Sequence, residues 1–61
     1  MFIQITYRSP GFGQTFVNVD HVVAVFVHNG TTHIRLTAAA AAEPIKESVE
    51  SILEAIRDAT Q

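Results

Sequence analysis

The sequence predicts an α+β domain: a four-stranded, mainly antiparallel sheet of two hairpins, with one C-terminal amphipathic helix packed on one face. Three observations carry this. Apolar and polar residues alternate over residues 2–8, where Ile3, Ile5 and Tyr7 mark the period of a half-buried strand. Asn29-Gly30 separates the apolar run Val22-Val23-Ala24-Val25-Phe26-Val27 from the alternating stretch 31–37, and Asn-Gly is the strongest short hairpin signal. Beyond residue 44 the spacing changes: Ile45, Val49, Ile52, Leu53 and Ile56 form one helical stripe, with Glu47, Glu50, Glu54, Arg57 and Asp58 opposite.

Taken in order, residues 2–8 and 14–19 form the first hairpin, joined by a loop at Ser9-Pro10-Gly11-Phe12-Gly13. Proline presets its own φ and the glycines tolerate positive φ, so this segment turns. Asn18-Val19-Asp20 reads as a second turn, in which the Asx side chains bond nearby amides. The sheet thus spans residues 2–37. Residues 38–43, which include five consecutive alanines, form a turn or linker, and the helix runs over about 44–59. Pro44 suits the first helical position, because it has no amide to leave unpaired. Ser48 is the alternative cap, for a shorter helix beginning at Val49.

With 61 residues the chain makes a single domain, 1–61, whose core is marginal at this size. Small domains add disulfides, a metal or a partner chain. With no cysteine there is no disulfide and no thiolate site, so self-association is the support that remains. The net charge of −2 divides unevenly, near +1 over residues 1–42 and near −3 over 43–61. Four Lys and Arg residues are too few for a groove that neutralises ~6–10 phosphates, which excludes duplex nucleic acid as the main partner. No apolar run approaches the ~20 residues that cross a bilayer, and the N-terminus lacks a charged segment with a cleavage site. A cytoplasmic protein without a membrane partner is expected.

The hairpin registers sort the side chains. A two-residue turn places His28 opposite Thr31, Phe26 opposite His33, Ala24 opposite Arg35 and Val22 opposite Thr37. Val23, Val25, Val27, Ile34 and Leu36 then share an apolar face. Pairing Arg8 with Gln14 adds Ile3, Ile5, Tyr7, Val17 and Val19 to it, and the helix covers this side. The other side carries Phe2, Phe16, Val22, Ala24 and Phe26 as an expected oligomer interface, among Arg8, His28, His33 and Arg35. A patch with three phenylalanines marks an interaction site. Arg8, Phe16, Phe26, His28, His33 and Arg35 are also the candidate ligand-binding residues, with rings to stack and cations to hold a small anionic, nucleotide-like ligand.

Other chemistry is poorly supported. His21, His28 and His33 lack a metal-ligand spacing, so neither a metal nor a cofactor is expected. Asp20 and His21 beside Ser9, Ser48 or Ser51 suggest a hydrolase, but nucleophilic catalysis needs an oriented base within a cleft, for which a chain this short has little room. Gly11-Phe12-Gly13 does not join a strand to a helix, so it is not a phosphate-binding loop.

Phe16-Val17-Asn18-x-Asp20, Ile34-x-Leu36-Thr37 and Glu47-Ser48-Val49-Glu50-Ser51-Ile52 give residues 14–56 a likeness of order and motif. Through them the chain resembles the small swarming-motility and flagellar accessory proteins of bacteria. The resemblance implies a non-enzymatic module acting through protein partners, with Pro44-Ile45-Lys46 as a short fifth strand and Ser48 capping the helix. Ala38 to Ala42 depart from that family, which has a polar, glycine-containing turn and a further strand there. In size and style the chain is also similar to phage anti-defence proteins, some of which bind host proteins and others of which act as sponges for nucleotide signals. The sequence therefore supports a non-enzymatic, homo-oligomeric binding module with a protein partner, and as the alternative a sponge for a small anionic ligand.

Overall fold

The computed structural model describes residues 1–8 and 13–61, so most of the loop expected at 9–13 lies outside the described residues. The fold is α+β: five antiparallel strands in two sheets, with one C-terminal helix packed on the strands. Strand β1 (Phe2–Thr6) pairs with β2 (Gln14–Asn18), placing Ile3 opposite Val17 and Ile5 opposite Thr15. Thr6, not Arg8, stands opposite Gln14, two residues from the expected register. Side chains alternate with a period of two, so this shift leaves every residue on the expected face. Ile3, Ile5 and Val17 are accordingly buried.

Residues Val19–His21 form one turn of 3-10 helix, entered through Asn18, whose side chain accepts from the Asp20 amide at 3.0 Å. This is the Asx-type bond expected of the Asn18-Val19-Asp20 turn. Strand β3 (Val22–His28) then turns back through Asn29 and Gly30 into β4 (Thr31–Leu36). Both turn residues have positive φ, 52° and 75°, as a tight primed hairpin turn requires. The predicted register holds from His28 opposite Thr31 to Ala24 opposite Arg35.

Beyond that point it breaks. Val22 lies opposite Leu36, not Thr37, and Val23 is the extra residue of a β-bulge. The bulge exchanges the two valines: Val22 packs against the core, while Val23 is 59% exposed, the reverse of the expected assignment. Thr37, freed from the ladder, donates its amide and hydroxyl to the carbonyl of His21, at 2.8 and 2.9 Å.

The expected helix start is also corrected. Residues Glu43–Ile45 form a fifth strand, β5, with His33 opposite Pro44 and Thr32 opposite Ile45. β5 also meets the end of β1: Tyr7 faces Ile45, the Arg8 amide donates to the Pro44 carbonyl at 3.1 Å, and the Lys46 amide donates to the Thr6 carbonyl at 2.9 Å. Proline fits here because only its carbonyl is used between β5 and β1. The helix α1 covers Val49–Thr60, not 44–59, and Ser48 caps it by accepting from the Ser51 amide at 3.1 Å.

α1 packs on β1 and β3. The buried core is Ile3, Ile5, Val17, Ile34, Ile45 and Ile52, with Val22, Val25, Leu36, Ala55, Ile56 and Ala59 packed around it. A fully buried isoleucine contributes about 1.5–3 kcal/mol, so Ile5, Ile34, Ile45 and Ile52 are the main apolar support. Leu53, counted in the expected stripe, lies on the flank of this face and is 51% exposed. A polar clamp joins the layers: the Glu47 carboxylate accepts from the Thr6 amide and the Thr6 hydroxyl, both at 2.8 Å.

Candidate functional site

The outward side of the β3–β4 hairpin gathers three of the expected ligand residues. Phe26 and His33 stand directly opposite each other, and their rings stack with centroids 5.5 Å apart and planes 10° from parallel. His28 meets His33 edge-on, with centroids 5.9 Å apart. Each imidazole is oriented by a hydrogen bond. His33 Nδ1 lies 2.9 Å from the Thr31 carbonyl, which only accepts, so Nδ1 carries the proton. In His28, Nε2 lies 3.3 Å from the side-chain nitrogen of Asn29.

Arg35 is exposed and lies one step along the same face, opposite Ala24. Arg8 reaches this region through β5, whose presence the register argument did not include. Its amide bonds the carbonyl of Pro44, the residue opposite His33, and its Nε donates to the Ile45 carbonyl at 3.1 Å. One guanidinium donor is thereby committed to the backbone. Phe16 lies elsewhere, opposite Gln4 on the β1–β2 sheet and 68% exposed, with Phe2 at the far end of β1 and 63% exposed. Among the described residues no ring contact joins Phe16 to the Phe26–His33–His28 group.

The expected oligomer interface is therefore divided. Phe26 and Ala24 lie on β3, Phe2 and Phe16 on the other sheet, and Val22 is turned into the core by the bulge. The structure adds a feature the register argument missed: β3 is an outer strand. It pairs with β4 alone, and among the described residues no strand lies along its other edge. Val27 was expected under the helix, but on this outermost strand it is 60% exposed, although Thr32 opposite it is buried. The signal that locates such an edge is the order of strands, which β5 determines and sequence periodicity does not.

Of the residues considered for nucleophilic chemistry, Ser9 lies outside the described residues. Asp20 and His21 are exposed in the 3-10 turn, while the Ser48 and Ser51 hydroxyls bond each other at 3.0 Å at the start of α1. Among the described residues, no group of three or more His, Asp or Glu side chains is placed to hold a metal ion. No family model matches the chain, and no curated protein or solved structure matches it either.

Proposed function

We propose that this chain is a non-catalytic, homo-oligomeric binding module that acts through a protein partner. The observation that carries the reading is the apolar outer strand β3, where Val23, Phe26 and Val27 are 59%, 41% and 60% exposed beside an edge along which no strand lies among the described residues. An exposed apolar edge strand is a template for pairing with another chain. The size of the chain supports the same conclusion, because 61 residues without a disulfide gain stability from a second copy. The resemblance to small swarming-motility and flagellar accessory proteins points to the same class, a module without enzymatic activity.

The alternative is sequestration of a small anionic, nucleotide-like ligand by Phe26, His28, His33 and Arg35, with Arg8 nearby. It is favoured by the exposed Arg35 beside the aromatic stack. It is weakened because Arg8 Nε is committed to the Ile45 carbonyl. Sedimentation equilibrium on the wild type, Phe26→Asp and Arg35→Ala separates the readings. The proposed function expects assembly in the wild type, its loss in Phe26→Asp and its retention in Arg35→Ala. A ligand sponge instead keeps its assembly and loses bound nucleotide in Arg35→Ala.

A further inference from the structure

We infer that β3 pairs antiparallel with β3 of a second copy, about a two-fold axis passing at Phe26. This rests on the homo-oligomeric reading above and adds to it the surface, the occupant and the register.

The two-residue Asn29-Gly30 turn makes His28 and Thr31 a hydrogen-bonded pair, so Phe26 with His33 and Ala24 with Arg35 are hydrogen-bonded pairs as well. The backbone groups of residues 24, 26 and 28 therefore point at β4. Those of Val25 and Val27 point to the opposite edge, where no strand lies among the described residues. An unpaired edge is a template for another strand, and proteins usually protect it with lysine, proline or a bulge. β3 contains no Lys, Arg, Asp, Glu or Pro, and its bulge lies at Val23, near its beginning. Residues 24–28 remain a regular ladder without Lys, Arg, Asp or Glu.

That ladder is complementary to itself. Its middle residue is Phe26, so a two-fold axis there sets Val25 opposite Val27 of the second copy, twice, and Ala24 opposite His28. The outward amides and carbonyls of Val25 and Val27 then close about four N–H···O bonds across the seam. On one face, Phe26 meets Phe26 of the second copy and continues the Phe26–His33 stack in both directions. On the other face, Val25 of the second copy covers exposed Val27. Arg35 lies beside Ala24, which faces His28 of the other copy, so the two arginines stay on opposite sides of the seam.

A stable interface needs about 800 Å² per partner, roughly a fifth of the 4115 Å² surface, and β3 joins exposed apolar side chains to unpaired backbone. β2 is also an outer strand, but pairing β2 with β3 of a neighbour is head-to-tail and gives a ring or an open filament, whereas β3 with β3 closes at two copies.

Cysteine cross-linking of the full chain tests this, since the protein has no native cysteine. Residues facing each other in non-hydrogen-bonded pairs have Cα atoms about 4.5 Å apart, within disulfide range. Phe26→Cys is expected to give a linked dimer as its main product on mild oxidation, and Leu53→Cys is not. The double variant Ala24→Cys/His28→Cys keeps Phe26 and is expected to give a doubly linked dimer, so loss of the aromatic ring cannot mask the result. If both the wild type and the double variant assemble but neither cysteine design links, the β3 seam is overturned and the homo-oligomeric reading stands. A wild type that sediments as a monomer overturns both, and leaves the edge to a strand of a different protein.

Discussion

Phe26 stacks on His33 from the directly opposite position of the neighbouring strand, with ring planes 10° from parallel. The contact fixes one aromatic ring at the middle of the regular part of β3, and the ring stays 41% exposed. A ring held by one neighbour and open on its other side loses little freedom when a partner covers it. That makes Phe26 the anchor expected at the centre of an interface.

Phe26→Asp is therefore expected to leave the monomer folded and to weaken assembly by about 2 kcal/mol or more, roughly thirtyfold in dissociation constant. Arg35→Ala, at an exposed position, is expected to change assembly by less than about 0.5 kcal/mol. Sedimentation equilibrium over a concentration series measures both.

The Thr6–Glu47 clamp carries a separate prediction about stability. Glu47→Ala removes both acceptors from a part-buried amide and hydroxyl and is expected to cost about 1–3 kcal/mol. Glu47→Gln is milder, about 1 kcal/mol, because the amide oxygen still accepts from the Thr6 amide while the charge assistance is lost. Urea unfolding of the two variants gives the ranking, and equal losses would show that the amide bond contributes nothing.

Ser48 at the helix start allows a finer test of where α1 begins. Ser48→Ala is expected to cost about 0.5–2 kcal/mol, and Ser48→Gly only a few tenths. A helix starting at Pro44 instead would place Ser48 in its interior, where glycine costs more than alanine. The order of the two variants in thermal unfolding thus reads out the helix boundary.

Within α1, Ile52 and Leu53 are adjacent in sequence and opposite in environment, at 1% and 51% exposure. Ile52→Ala is expected to cost about 2–5 kcal/mol through lost burial and a residual cavity. Leu53→Ala is expected to stay within about 1 kcal/mol, because half of the side chain is already in water. Comparable losses at the two positions would place the helix in a different rotation about its axis.

The central hairpin was legible because Asn29 and Gly30 both adopt positive φ, and a two-residue turn leaves a single register for the residues that follow. The same reasoning failed at Val22 and Val23, where two identical side chains carry no mark of which one is the bulge. The β1–β2 register was displaced by two residues, yet Ile3, Ile5 and Val17 still fell in the core, since an even displacement preserves the face. β5 escaped the periodicity argument and entered only through the resemblance, as Pro44-Ile45-Lys46. Three residues are too short to show alternation, and Pro44 is as suitable for a helix start as for a strand that uses only its carbonyl there. Without β5 in the register argument, the bonding of Arg8 to Pro44 and Ile45 and the position of β3 at the edge stayed hidden. The Phe26–His33–His28 group was legible for the opposite reason, because it depends only on the turn that the sequence marks.

Native mass spectrometry of the wild-type protein, purified directly from its producing cells, tests the central claim most directly. It reports the number of copies and any retained small molecule in one spectrum. The expected result is a two-copy assembly with no added mass. A folded single copy at the same concentration contradicts the homo-oligomeric module, and a dimer carrying a few hundred extra daltons would transfer the function to the sequestering reading.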